Sequence, residues 1–225
     1  KYAIDFTKIN GFDFSKFSID NDGNVAAYSE YLLHYSNKFS NLIMLTFGTG
    51  VGGGIIAGGK LIRGSGSAGE VGHMLTSKGN EEYLCNCGKT GCFEASTSAA
   101  AWTNECKRLS KKYPESELAM KFSEEKLGSS IFDRSINLNS EESATRDKII
   151  VNISNGLVSL FEIFDNEAFI LGGSMAGKPY DLVLLINQDI KNRFKFPSRV
   201  FPQILVSTQK GEAGIVGAAL IARNE

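Results

Sequence analysis

No uninterrupted apolar run in this sequence approaches the roughly 20 residues of a membrane-spanning helix, and its first residues lack the basic, apolar and small-residue succession of a signal peptide. A cytoplasmic protein is the expectation. Charge of one sign is lacking too: 24 Lys and Arg stand against 25 Asp and Glu, a formal net charge of -1. That balance gives no electrostatic reason to expect nucleic acid or an anionic membrane as a partner, so small-molecule chemistry is expected. Proline is scarce, 4 among 225 residues, while glycine reaches 24. Such glycines argue for tight turns and close backbone approach rather than for a disordered linker. Cysteine and histidine are also rare, at four and two copies, so their placement carries information.

Three of those cysteines and one of those histidines fall within residues 70–94. Cys85, Cys87 and Cys92 form a compact Cys-x-Cys-x4-Cys knuckle with Gly88 and Gly91 inside it, and His73 lies upstream. One neutral imidazole and three thiolates satisfy tetrahedral Zn²⁺ without leaving an open position, so the set predicts a structural zinc site rather than a hydrolytic one. A disulfide between two of the three would leave one thiol over, in a composition that otherwise looks intracellular. Cys106 stands alone and is expected as a small buried residue of a helix.

A composition of 42% hydrophobic and 22% charged residues is that of an ordinary globular protein able to bury a full core, as one large domain or two small lobes. Residues 1–18 carry aromatics without a period. From Ile19 onward order is expected. An acidic and amide-rich stretch, with Asp22 or Asn24 placed to cap it, leads into a helix over VAAYSEYLLHYS. Residues 41–47 predict a buried strand emptying into a glycine loop over residues 48–54, and IIAGGKLI predicts a hairpin turning at Gly58 and Gly59. Ser96 or Ser98 would cap a helix that ends before Pro114, and residues 111–126 read as a solvated charged surface. A long helix is predicted over residues 140–164, followed by a strand at 168–171, a Gly172-Gly173-Ser174 turn, a helix starting near Pro179, a strand at 203–207 and an apolar helical tail. In that tail Gly214 and Gly217 are expected to allow close approach. Strands alternating with helices give an α/β fold class.

Gly48, Thr49 and Gly50 stand where a strand ends, the usual place for a ligand loop, and could wrap a phosphate with backbone N–H groups. A plain glycine-rich hairpin connection accounts for the same residues. Asp22, between Asn21 and Gly23 with Asn24 beyond, is the candidate catalytic base; a capping aspartate is its structural alternative. An EF-hand is excluded, because Val25 and Tyr31 occupy the positions that need Gly and Glu. Glu70 and Glu94 bracket the knuckle and could be aimed into a sugar pocket, or be surface carboxylates.

Together NDGN (residues 21–24), TFGTGVGGG (46–54), GEVGH (69–73), CNCGKTGCFE (85–94), FILGGS (169–174) and GEAGIVGAA (211–219) resemble the ROK family of sugar kinases and sugar-sensing repressors. The resemblance implies an actin-like ATPase (ribonuclease H-like) fold, with residues 19–225 as the sugar- and nucleotide-binding C-terminal lobe and residues 1–18 as a remnant of, or connection to, an N-terminal lobe. It implies Asp22 as base toward a sugar hydroxyl. Asn21, Glu70, His73 and Glu94 would hold the sugar, His73 with one ring nitrogen while the other joins Cys85, Cys87 and Cys92 on zinc. Gly48, Thr49 and Gly50 would face the phosphates of Mg²⁺-bound ATP, and Gly172, Gly173 and Ser174 the adenosine. A homodimer is implied as well. The family's Asp-x-Gly-Gly-Thr phosphate loop does not occur in these residues, so the expectation is a chain that keeps the sugar side and zinc but lacks half of the nucleotide cleft. The expected activity of the parent protein is an ATP-dependent hexose kinase acting on glucose, N-acetylmannosamine or a β-glucoside. The alternatives are a repressor, whose helix-turn-helix would precede this chain, and a zinc-stabilised carbohydrate-binding module without turnover.

Overall fold

The computed structural model describes residues 19–76, 84–173, 179–209 and 212–224. At its centre lies β1 (Leu42–Phe47), whose unbroken run Leu-Ile-Met-Leu-Thr-Phe suits a strand covered on both faces. It pairs antiparallel with β2 (Val51–Ala57), which turns through Gly58 and Gly59, both at positive φ, into the short β3 (Lys60–Leu61). On its other side β1 runs parallel to β4 (Ala168–Gly173), and β4 runs parallel to β5 (Gln203–Val206). The order β3-β2-β1-β4-β5 brings the carboxyl ends of β1, β4 and β5 to one edge. That is where α/β sheets place their ligands.

Period-two alternation sorts the side chains of β1. Ile43, Leu45 and Phe47 join one core, with Ile153, Leu157 and Phe161 from α5 (Ser140–Phe164) and Leu182 and Ile186 from α6 (Pro179–Arg193). Leu42 and Met44 join the opposite core, with Ala26, Ala27 and Tyr31 from α1 (Asp22–Glu30) and its continuing π turn (Tyr31–Tyr35), and Ala213 from α7 (Ala213–Asn224). Between β3 and β4 the chain inserts α2 (Phe93–Thr97), α3 (Ala99–Lys112), α4 (Glu117–Glu125), a 3-10 turn (Gly128–Phe132) and α5. The long helix starts and stops where the sequence predicts, with Asn139 and Glu142 forming a capping box.

Four expectations are corrected. The helix cap is Asn21, not Asp22 or Asn24: its side-chain oxygen accepts from the N–H groups of Gly23 and Asn24. The glycine loop is shorter than expected, because Gly52, Gly53 and Gly54 are ladder residues of β2. These glycines serve packing: a Cβ on Gly54 would run into the Ala27 Cβ of α1, and one on Gly53 would stand 2.6 Å from Val71 Cγ2 on the other face. Residues 111–126 are not merely solvated: Ser116 caps α4, whose Leu118 and Ala119 are buried. In α7 only Gly217 makes a close approach, to the Val25 carbonyl, whereas Gly214 faces open space. Ser98 caps α3, and Cys106 is a buried free thiol, both as expected. No helix among the described residues is long and apolar enough to cross a membrane.

Candidate functional site

The amino end of α1 presents Asn21 and Asp22, both exposed. Asn21 has two tasks, since its oxygen caps the helix while its amide donates to Glu70 Oε1 at 3.2 Å. The Asp22 carboxylate accepts only from the N–H of Gly23, at 2.9 Å, in the described contacts. Behind this pair lies Asp20, which the sequence reading did not single out. It accepts from the Asn21 N–H at 2.8 Å, from Asn24 Nδ2 at 2.8 Å and from Arg63 Nε at 2.7 Å. Burial alone would raise the Asp20 pKa, but the bonds from Asn24, Arg63 and the Asn21 backbone outweigh it and hold the carboxyl below its ordinary value. Arg63 is 43 residues away in sequence, so nothing local marks the pair.

The 3-10 turn Val71–His73 brings His73 between the two glutamates. Its Nε2 lies 4.0 Å from Glu70 Oε2 and its Nδ1 3.7 Å from Glu94 Oε1. Nδ1 also lies 3.7 Å from the Cys85 sulfur. His73 therefore turns one nitrogen toward the cysteines and the other toward Glu70 and the end of α1. Glu94, near the start of α2, accepts from the Val51 N–H at 3.1 Å and from the Cys85 thiol at 2.9 Å. This ties the knuckle to the glycine turn. A side chain at Gly50 would displace the Glu94 carboxylate.

His73, Cys85, Cys87 and Cys92 offer four ligand atoms that all lie within 4.8 Å of one another. The Cys87 and Cys92 sulfurs are 3.6 Å apart. A tetrahedron with metal–sulfur bonds of about 2.3 Å has edges of about 3.8 Å, so the donor set fits a metal ion of that kind. Gly88 and Gly91, at φ +86 and +82, make the tight turns expected of them. Burial pushes the Cys85 thiol up to about 12 and the Cys92 thiol upward, whereas a backbone N–H from Lys89 lowers that of Cys87. A bound cation would reverse the first two shifts by favouring thiolate.

At the carboxyl edge of the sheet, Gly172 and Gly173 end β4 opposite Thr46 and Phe47. Gly173, at φ +87, lies so close to Phe47 that a Cβ would stand 2.6 Å from its carbonyl. Turn 48–50 follows at once, with Thr49 exposed and the Gly48 N–H closing the turn on the Gly50 carbonyl at 2.9 Å. Gly48 thus spends its N–H inside the turn. Ser174, expected beside it, lies outside the described residues. Beside the turn opens a cavity of about 280 Å³, lined by Gly48, Thr49, Trp102, Thr103, Lys126 and Gly128 among others. Its far wall escaped the sequence reading because those residues share no motif and come from α3, the end of α4 and the 3-10 turn Gly128–Phe132.

The ROK family model matches residues 13–225. The chain belongs to the ROK family. A glucokinase of Halalkalibacterium halodurans is 28% identical over 217 residues, 92% of this chain and 63% of the relative. An N-acetylmannosamine kinase of Haemophilus influenzae is 28% identical over 207 residues, 88% of this chain and 60% of the relative. Among solved structures, a ROK family glucokinase from Streptomyces griseus in complex with glucose and AMPPNP superposes with a TM-score of 0.78 at 30% identity, covering 92% of this chain and 68% of that one. The chain thus spans about two thirds of the length of the curated relatives it matches, and as a ROK chain it has the actin-like fold of these neighbours.

Proposed function

We propose that the protein to which this chain belongs is an ATP-dependent sugar kinase, and that the chain carries its sugar side, a structural zinc site and the second half of its nucleotide cleft. The observation that supports this reading is the chain of contacts from Asn21, the neighbour of Asp22, through Glu70 and His73 to Glu94, which accepts from the Val51 N–H beside turn 48–50. The glucose and AMPPNP held by the Streptomyces griseus relative support it. Asn21, Glu70, His73 and Glu94 would grip sugar hydroxyls, and Asp22 would take the proton of the attacking hydroxyl. Thr49 and the backbone of turn 48–50 would border the transferred phosphoryl group, and Gly172, Gly173 and Ser174 the adenosine. Phosphoryl transfer is mainly positioning and charge neutralisation, which this set supplies in part. Zn²⁺ on His73 Nδ1, Cys85, Cys87 and Cys92 would fix the ring so that Nε2 faces the sugar. Mg²⁺ would arrive with ATP and offset the phosphate charge. A homodimer in the cytoplasm completes the reading.

The test is a coupled ADP-release assay on the full-length protein with hexoses, N-acetylhexosamines and β-glucosides. Turnover on one sugar is expected, and it names the substrate. Sugar binding by calorimetry without turnover on any would replace the kinase by the repressor or the carbohydrate-binding-module reading.

A further inference from the structure

The last residue of α1, Glu30, is fully buried and belongs to none of the motifs that carry the family resemblance. Its Oε1 accepts from the Ser207 hydroxyl, from the Thr208 N–H at 3.0 Å and from the Gln209 N–H at 3.2 Å, while Oε2 lies 3.4 Å from the Thr208 hydroxyl. Ser29 donates to Gln209 Oε1 at 2.7 Å beside it. A buried carboxylate is costly unless donors replace its water, and an apolar residue would fill the same space without that cost. The carboxylate is therefore matched to one partner, the turn over residues 207–209.

That turn abuts the nucleotide-side glycines. The Ser207 N–H donates to the Leu171 carbonyl at 2.8 Å, and a Cβ on Gly172 would stand 3.0 Å from the Ser207 Cβ. Gly172 is followed by Gly173, which lies against Phe47 at the entrance to turn 48–50. Asp22 and Glu30 are thus the first and last residues of one rigid helix, about 12 Å apart along its axis.

We infer that Glu30 is a positioning residue that fixes turn 207–209 beneath Gly172 and so links the nucleotide side of the cleft to the helix that presents Asp22. This rests on the sugar-kinase reading. Glu30 touches neither ligand, and its effect on nucleotide binding passes through Ser207.

The test uses the full-length protein and its variants Glu30→Gln, Ser207→Ala and the double change, with Mg²⁺-AMPPNP and the sugar selected by turnover as calorimetric probes. Each single variant is expected to weaken AMPPNP binding roughly three- to tenfold and to leave sugar binding within about twofold. The double variant should be no weaker than the worse single, because both changes act on one shared contact: Glu30→Gln leaves a neutral, weaker acceptor and Ser207→Ala removes the hydroxyl donor. AMPPNP affinity that stays at the wild-type value overturns the inference. So does a parallel loss of both ligands with a lowered Tm, which would mean general loosening. If Glu30→Gln does not fold, Ser207→Ala decides alone. A wild-type protein that binds no AMPPNP and turns over no sugar removes the kinase reading and this inference together, whereas an active wild type with unaltered variants removes the inference alone.

Discussion

At the scale of single residues, the amino end of α1 sets committed side chains beside an open one. Asn21 is committed to the helix cap and to Glu70, and Asp20 is committed to Asn24, Arg63 and the Asn21 backbone. Asp22 is exposed, with only the Gly23 N–H on its carboxylate in the described contacts, which leaves most of its acceptor capacity open to a ligand. In the full-length protein Asp22→Asn is expected to lower kcat by about 10²- to 10⁴-fold, the usual contribution of a general base, while the sugar Kd stays within a few-fold. Turnover and calorimetry on the same preparation check both halves, and retained turnover removes Asp22 from the role. The helix start here was legible because short polar residues precede an apolar helical period, although the cap is Asn21 and not the Asp22 or Asn24 expected. Asp20 and Glu30 were not, since their partners lie 43 and 177 to 179 residues away and folding alone makes the pairs.

At the scale of elements, two joints hold the insertion between β3 and β4 in place. One is polar: Glu141, in the first turn of α5, accepts from Lys112, Tyr113 and Arg108 at the end of α3. Those donors bring the Glu141 carboxyl down to about 2. Its folded pKa is depressed, so its stabilisation is complete above the unfolded value of about 4.3 and is lost as pH falls through about 2. Glu141→Gln should therefore be less stable than wild type near pH 7, by a margin that shrinks with added salt and closes as the solution is acidified through that window. Acid unfolding followed by circular dichroism measures it. The other is the knuckle, where His73, Cys85, Cys87 and Cys92 bring their ligand atoms within 4.8 Å of one another. Elemental analysis of the full-length protein should find one zinc per chain, and chelation should lower both Tm and sugar affinity, because the same ring would serve both. Unchanged sugar binding after metal removal would separate His73 from the pocket. This joint was legible because its four ligands fall within 20 residues with glycines at the turns, whereas the links of Glu141 depend on how α3 meets α5.

At the scale of the whole molecule, the sheet and the long helix α5 follow from periodicity, and the family resemblance covers the order of the parts. The sequence reading erred where one element presses on another. Gly52, Gly53 and Gly54 look like loop residues until α1 packs on one face of the strand and Val71 on the other, and α4 looks like solvated surface until Leu118 meets its neighbours. The cavity beside turn 48–50 was invisible for the same reason. Its wall nevertheless contains Trp102, the single tryptophan of this sequence. The indole is 1% exposed, stacks on Phe47 at 5.4 Å between ring centroids and meets Phe132 edge-on at 4.9 Å. Phe47 in turn leads directly into Gly48. The chain therefore carries its own optical reporter: excitation of one indole reads the polarity and rigidity of the space next to turn 48–50, with no label and no competing tryptophan from elsewhere in these 225 residues.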